Sequence, residues 1–356
     1  MALNLCLTFR MSQSLFRSSR GGYGKIFYSI WVISEPVGTR CRDKGLLKKT
    51  NYNLSPFIER SVNTTKRLNK KEKALALFGF YNPAVDNLEV MFRYGNKMLQ
   101  RMHIATLCRD NVVGPEVINA WGMYLNSNEE FKADTLPTRF FASVEICSES
   151  ILQPPSSWTF KRRRDIFVRL LSDELTTPQL LFVTTIDLFF FPVFRVMNFF
   201  LVCVDLKKEK VYVLDSRNEA QVHCRTEKYM SAVDDVKQML GDYFGSMGHV
   251  HKSTIVKRAR IMIPPLKWGD SNNINDSGVY MMRHMETFMG ESPALWGCSL
   301  APKLKKQLNL LRVRYCAALL GWEKNSVKDA IAVGANAYYD EVFKNPAINI
   351  DATLLG

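Results

Sequence analysis

Three short segments carry side chains whose chemistry and placement bear on catalysis. Asn198-Phe199-Phe200-Leu201-Val202-Cys203-Val204-Asp205-Leu206 is an apolar run that opens on an amide. A second run, Val211-Tyr212-Val213-Leu214, ends on Asp215-Ser216. In the third, Asn275-Asp276-Ser277-Gly278-Val279-Tyr280, a hydroxyl stands where an apolar helical pattern begins. The first turn of a helix carries partial positive charge and unpaired N–H groups, which favour an anionic nucleophile and can serve an oxyanion. Nucleophilic hydrolysis also needs a base that cycles a proton and a group that orients that base. The side chains at these element ends are an amide, a carboxylate and a hydroxyl.

Other chemistries find less support. The eight cysteines include no Cys-x-x-Cys pair, and the five histidines (103, 223, 249, 251 and 284) add no finger-like spacing. No metal site is expected, and no cofactor. Scattered cysteines suit a reducing compartment, where they act as small hydrophobes. Cys203, mid-strand, and Cys298, 21 residues past Ser277, read as core. The apolar stretch 180–206 contains Asp187, Pro192, Arg195 and Asn198, so it reads as buried strands and no membrane partner is expected.

The elements that must position these residues follow from the apolar pattern. Hydrophobic residues make up 47% of the 356-residue chain, the composition of a core-burying protein. Leu88, Val90, Met91, Tyr94, Met98 and Leu99 recur at helical spacing. A second helix is expected from Pro115-Glu116 through Trp121 and Leu125. Phe140 to Ile146 reads as a strand and 160–176 as a surface helix. Three apolar runs follow at Thr185–Val193, Asn198–Leu206 and Lys210–Leu214, the last two joined by Lys207-Lys208-Glu209 as in a hairpin. Glu227–Phe244 is an amphipathic helix and Arg258–Ile263 a strand. Ser277–Met289 and Lys303–Leu320 are helices, the latter basic on one face. Helices, a block of strands with an intervening helix, then helices again predict an α+β fold around a central mixed sheet.

Charge divides the chain. Residues 1–73 hold 15 Lys/Arg against 4 Asp/Glu, and the remainder holds 33 against 30, so most of the net +14 lies at the N-terminus. Nucleic acid is expected to concern only that basic extension. Residues 1–34 have an organellar-import bias, whereas Lys66 to Lys73 has the character of a nuclear import signal. A solvated tail is the alternative to both, and the compartment stays open.

The three segments together resemble the catalytic domain of the Ulp-type (SUMO/ubiquitin-like-protein-specific) cysteine proteases. That family has a His-Trp opening a strand, an Asp seven residues later, a second strand ending in Asp-Ser, and an Asp-Cys-Gly-Val-[Phe/Tyr] segment opening a helix. Pro115-Glu116-Val117-Ile118-Asn119-Ala120-Trp121 is similar to a helix near that domain's start, and Phe189-Phe190-Phe191-Pro192-Val193 to the strand leading into its site. The resemblance spans 95–345. It leaves 1–72 as a basic extension, 73–94 as a leading segment and 346–356 as a tail.

The resemblance implies a papain-like fold and cleavage after the C-terminal Gly-Gly of a ubiquitin-like modifier, in the nucleus or cytoplasm. It puts Asn198 at the catalytic His, Asp215 at the orienting acid, Ser277 at the nucleophilic Cys and Ser271 at the oxyanion Gln. Asn273 and Asp276 keep their family identities. Phe199 and Trp268 either flank a substrate channel or belong to the core, as Trp121 does. With His and Cys replaced, the implied function is a catalytically inactive domain that binds SUMO or another modifier. The alternatives are a peptidase using Ser277 with a relocated base, or a decaying, transposon-associated copy.

Overall fold

The computed structural model describes residues 61–344, apart from 83–85, 130–134, 153–156, 176–182, 196, 218–221, 271–272, 274, 293 and 303–304. Its centre is a five-stranded mixed sheet in the order β3-β4-β5-β6-β7. These strands are Arg139–Phe141, Leu188–Arg195, Asn198–Asp205, Lys210–Leu214 and Arg260–Met262. β3 runs parallel to β4 and β7 parallel to β6, while β4, β5 and β6 form an antiparallel meander. The expected hairpin is present, with Val202 opposite Val213, and its turn sets Glu209 at φ 52°.

The central strands read as unbroken apolar runs because both faces are covered. Phe199, Leu201, Cys203, Tyr212 and Leu214 face one core cluster. Phe200, Val202, Val204, Val211 and Val213 face the other. The second cluster is closed by α5 (Phe160–Glu174), α6 (Val222–Ser246) and α7 (Val250–Arg258). The first is closed by α1 (Lys70–Tyr81), α3 (Pro115–Asn128), α8 (Ser277–Thr287) and α9 (Lys305–Leu320). The one-turn helices α2 (Arg101–Ile104) and α4 (Glu149–Leu152), and the C-terminal α10 (Lys328–Lys344), complete this α+β, papain-like architecture. Each buried Phe of the sheet stabilises it by about 1.5–3 kcal/mol through removal from water. Among the described residues, no helix is long and apolar enough to cross a membrane, and no cluster of three or more His, Cys, Asp or Glu is placed to hold a metal ion.

Two expectations are overturned. The apolar residues between 88 and 99 do not form a helix: Val90–Tyr94 (β1) and Lys97–Gln100 (β2) pair as an antiparallel hairpin. Gly95 turns the chain at φ 57°, a conformation open to glycine, and this local turn outweighs the helical spacing. The strand expected over 140–146 stops at Phe141. Beyond it, the N–H of Val144 donates to Asn119 Oδ1 at 2.8 Å, and 144–147 close into a 3-10 turn. The N–H of Phe141 likewise donates to Asn126 Oδ1 at 2.9 Å. Two asparagines of α3 thus take the donors that a further strand would have used. Helices α7 and α10 were not evident from the pattern; α10 buries only Ile331, Ala335 and Val342.

Residues 61–94 share the core of the rest of the domain. Leu75, Phe78, Met91 and Phe92 lie in the same cluster as Trp121 and Met282, and Asn325 Oδ1 accepts the N–H of Arg93 at 2.9 Å. Of the basic extension, 1–60 lies outside the described residues, as does the tail 346–356.

Close packing sets the identity of Gly278. A Cβ there would meet Val113 Cβ at 2.7 Å and Phe199 Cδ2 at 3.4 Å. Gly278→Ala is expected to lower stability by about 1–3 kcal/mol despite its gain in helix propensity. Urea unfolding of the two proteins measures the difference.

Candidate active site

Three of the residues singled out from the sequence meet in space. β5 and β6 are neighbouring strands, which brings Asn198 at the start of one beside Asp215 just past the end of the other. Asn198 Nδ2 donates to both carboxylate oxygens of Asp215, at 3.2 and 3.1 Å. The partner fixes the amide's orientation, since only the NH₂ end can donate to a carboxylate. Asp215 Oδ1 also accepts the N–H of Arg217 at 2.9 Å, and Oδ2 accepts the hydroxyl of Tyr229 on α6. Ser277 opens α8, and its Oγ accepts the N–H of Phe199 at 3.3 Å, seating the helix on β5. All of these side chains lie inside the protein: Asn198 is 1% exposed and Ser277 0%. Asn198 Oδ1 is buried without a hydrogen-bond partner among the described residues.

The arrangement has a hydroxyl at a helix N-terminus and a carboxylate holding an amide. The amide donates toward the carboxylate as an imidazole would, but it cannot carry a proton away and return it. His284 is engaged elsewhere. It lies in the middle of α8, where its Nε2 accepts the indole N–H of Trp268 at 3.0 Å. Burial, with the Arg283 charge adding to it, brings its pKa down to about 3. Two core cysteines near the site in sequence are held as thiols. Burial holds the Cys203 thiol well above its usual range and pushes Cys298 up to about 12.

The remaining predicted residues sort differently. Asp276 stands at the N-cap of α8 without capping it. Its Oδ1 is gripped by Arg312 of α9 through Nε at 2.9 Å and Nη2 at 2.6 Å, and its Oδ2 accepts Asn273 Nδ2 at 2.6 Å. The same guanidinium donates to the carbonyls of Cys108, Asn111 and Asn275 at 3.0, 2.8 and 3.0 Å. Asp276 and Asn273 therefore build the approach to α8. Phe199 and Trp268 sit in the main core cluster, as does Trp121, whose indole donates to the Met282 carbonyl at 3.2 Å. Ser271 lies outside the described residues. Sequence reasoning missed Tyr229 and Arg312. From sequence α9 reads as basic on one face, and two of its arginines, Arg312 and Arg314, are turned inward. A lone arginine between apolar neighbours, in Leu-Arg-Val, was the one available signal.

No protein-family model matches the sequence, and no curated protein matches it. Solved structures do match. The C-terminal Ulp1 protease domain in complex with Smt3, the yeast ortholog of SUMO, aligns with a TM-score of 0.51 at 15% identity, covering 76% of this chain and 100% of that one. The SUMO protease Ulp1 with its catalytic cysteine oxidised to a sulfenic acid gives 0.50 at 16% identity, with the same coverage. The chain has the fold of the Ulp1 SUMO protease domains.

Two consequences are measurable. Arg312→Met leaves the Asp276 carboxylate buried without its cation, and a loss of about 3–5 kcal/mol is expected in denaturant unfolding. The second concerns pH. Burial raises Glu286 of α8 from 4.5 to about 7, and lowers His284 from 6.5 to about 3. Between pH 4.5 and 6.5 the folded chain keeps a proton on Glu286 that the unfolded chain has released, and lacks one on His284 that the unfolded chain holds. The two contributions to the slope oppose each other. Glu286→Gln removes one of them. The variant's stability is then expected to climb more steeply, or fall less, from pH 4.5 to 6.5 than the native protein's, as followed by thermal unfolding across that range.

Proposed function

We propose that this chain is a catalytically silent relative of the Ulp-type proteases that keeps the fold as a binding surface for SUMO or another ubiquitin-like modifier. The observation that carries this reading is the pairing of Asn198 with Asp215 beside Ser277. The carboxylate and its hydrogen-bonded partner are retained at the positions matching the family's acid and base, while the partner has lost its titratable proton. Ser277 offers a hydroxyl, far less acidic than a thiol, with its Oγ engaged by a backbone N–H. Losing one triad member costs about 10⁴- to 10⁶-fold in kcat, and here the base and the nucleophile are both replaced.

Binding needs less than hydrolysis does. A modifier is held over a wide surface by shape and complementary charge, neither of which depends on a proton-cycling base. The Ulp1 domain whose fold this chain shares was solved in complex with Smt3, which supports a ubiquitin-like partner for this fold. Carrying that partner over to this chain is the proposal.

The test is cleavage of a panel of ubiquitin-like precursors by the full chain, read by intact mass. The native protein is compared with the triple replacement Asn198→His/Ser277→Cys/Ser271→Gln. No cleavage by the native protein is expected, with modifier binding retained and cleavage regained in the replacement. Native cleavage that Ser277→Ala abolishes would overturn the silent reading and establish a serine hydrolase.

A further inference from the structure

The pairing of Asn198 with Asp215 lies on the face of the sheet turned away from α8. Along β5, Phe199 and Leu201 face the core cluster that contains α8, whereas Phe200 and Val202 face the cluster closed by α6. Side chains two residues apart share a face, so Asn198 belongs with Phe200 on the α6 side. Asp215 follows Val213 to the same side, where its carboxylate meets a side chain of α6.

That side chain is Tyr229. It is 1% exposed, and its ring stands edge-on to Phe200 with 5.0 Å between centroids. Ala232, Val233 and Val236 belong to the same apolar cluster. A phenyl ring would pack there as well and would leave no hydroxyl to remove from water, a cost that the carboxylate offsets by accepting it.

The hydroxyl changes what Asp215 presents. A carboxylate turns broadly about its last bond unless its two oxygens are distinguished. Here Oδ1 accepts the N–H of Arg217 at 2.9 Å and Oδ2 accepts Tyr229, which sets the plane that the Asn198 amide meets at 3.2 and 3.1 Å. A donor on Oδ2 also draws the carboxylate's charge toward itself. Less is then left to stabilise a cation at position 198.

We propose that Tyr229 is a positioning residue of the candidate site. It fixes the plane in which Asp215 offers its oxygens to the side chain at 198, and it limits the basicity that Asp215 can confer on an imidazole placed there. The role rests on Asn198 and Asp215 being the base and acid positions of the site. It brings into that site a helix that none of the three sequence segments reaches.

The test introduces an imidazole beside Asp215 through Asn198→His in the full chain and follows its titration by NMR, with and without Tyr229→Phe. Loss of the hydroxyl is expected to raise the imidazole's pKa by at least about half a unit, roughly a threefold gain in proton affinity. Asp215→Asn in the same background is expected to lower it, which identifies the carboxylate as the link. An imidazole pKa that is unchanged or lowered by Tyr229→Phe would overturn the proposal, since a loss of packing alone leaves the carboxylate's charge where it was. Cleavage and modifier binding judge the functional reading separately, so the two failures are told apart. If Asn198→His does not fold, a double-mutant cycle of Asn198→Ala and Tyr229→Phe in urea unfolding decides instead. The combined change in the unfolding constant is expected to differ from the product of the single changes by at least about threefold. A simple product would sink the proposal.

Discussion

α8 is a helix with almost no solvent. Every residue from Ser277 to Glu286 is buried, so the backbone groups at its two ends must find partners within the protein. Arginines anchor both ends. At the N-terminus, Arg312 holds the Asp276 carboxylate and draws in the carbonyls of Cys108, Asn111 and Asn275. At the C-terminus, Arg139 of β3 donates to the carbonyls of Met285 and Glu286 at 3.1 and 3.0 Å. A negative charge at the first turn and a positive one at the last both suit the helix dipole. With its ends fixed, α8 presses Ser277 and Gly278 onto β5, and the geometry of the candidate site follows.

Around that frame, the candidate site pairs a carboxylate with an amide rather than with a titratable base. Asp215 is still surrounded by donors, from Asn198, Arg217 and Tyr229. An amide satisfies the carboxylate, because the native state needs a donor there and nothing in folding needs a proton to move. The separation of packing from chemistry explains how the fold of the Ulp1 domain can be carried by a sequence only 15% identical to it.

α8 also ties the N-terminal segment to the domain. Arg283 donates to the Val62 carbonyl at 2.9 Å and to the Cys298 carbonyl at 2.8 Å. Glu286 accepts the N–H of Val62 and the hydroxyl of Tyr315. Arg314 of α9 reaches the Lys66 carbonyl. The strap from 61 to 69 is thus held by buried charges on two helices. Glu286 and His284 titrate far from their usual ranges because both are themselves buried.

The sequence by itself determined the sheet meander, the hairpin at Lys207–Glu209 and the helix at Ser277, because each is announced by local apolar pattern, turn residues and spacing. The same local signals placed Asn198, Asp215 and Ser277 at element ends, and a resemblance in motif order gave them positions in a site. Only the tertiary structure decided what surrounds them. Tyr229 reaches Asp215 from a helix 14 residues on, and Arg312 reaches Asp276 across 36 residues; no periodicity encodes such a contact. The structure also settled or overturned several readings of the sequence. Gly95 turned an apparent helix into a hairpin, Phe199 and Trp268 went into the core, and the basic face of α9 turned partly inward. Local pattern specifies which residues are apolar and where the chain turns, whereas the partner of a buried charge is set by whichever distant element packs against it.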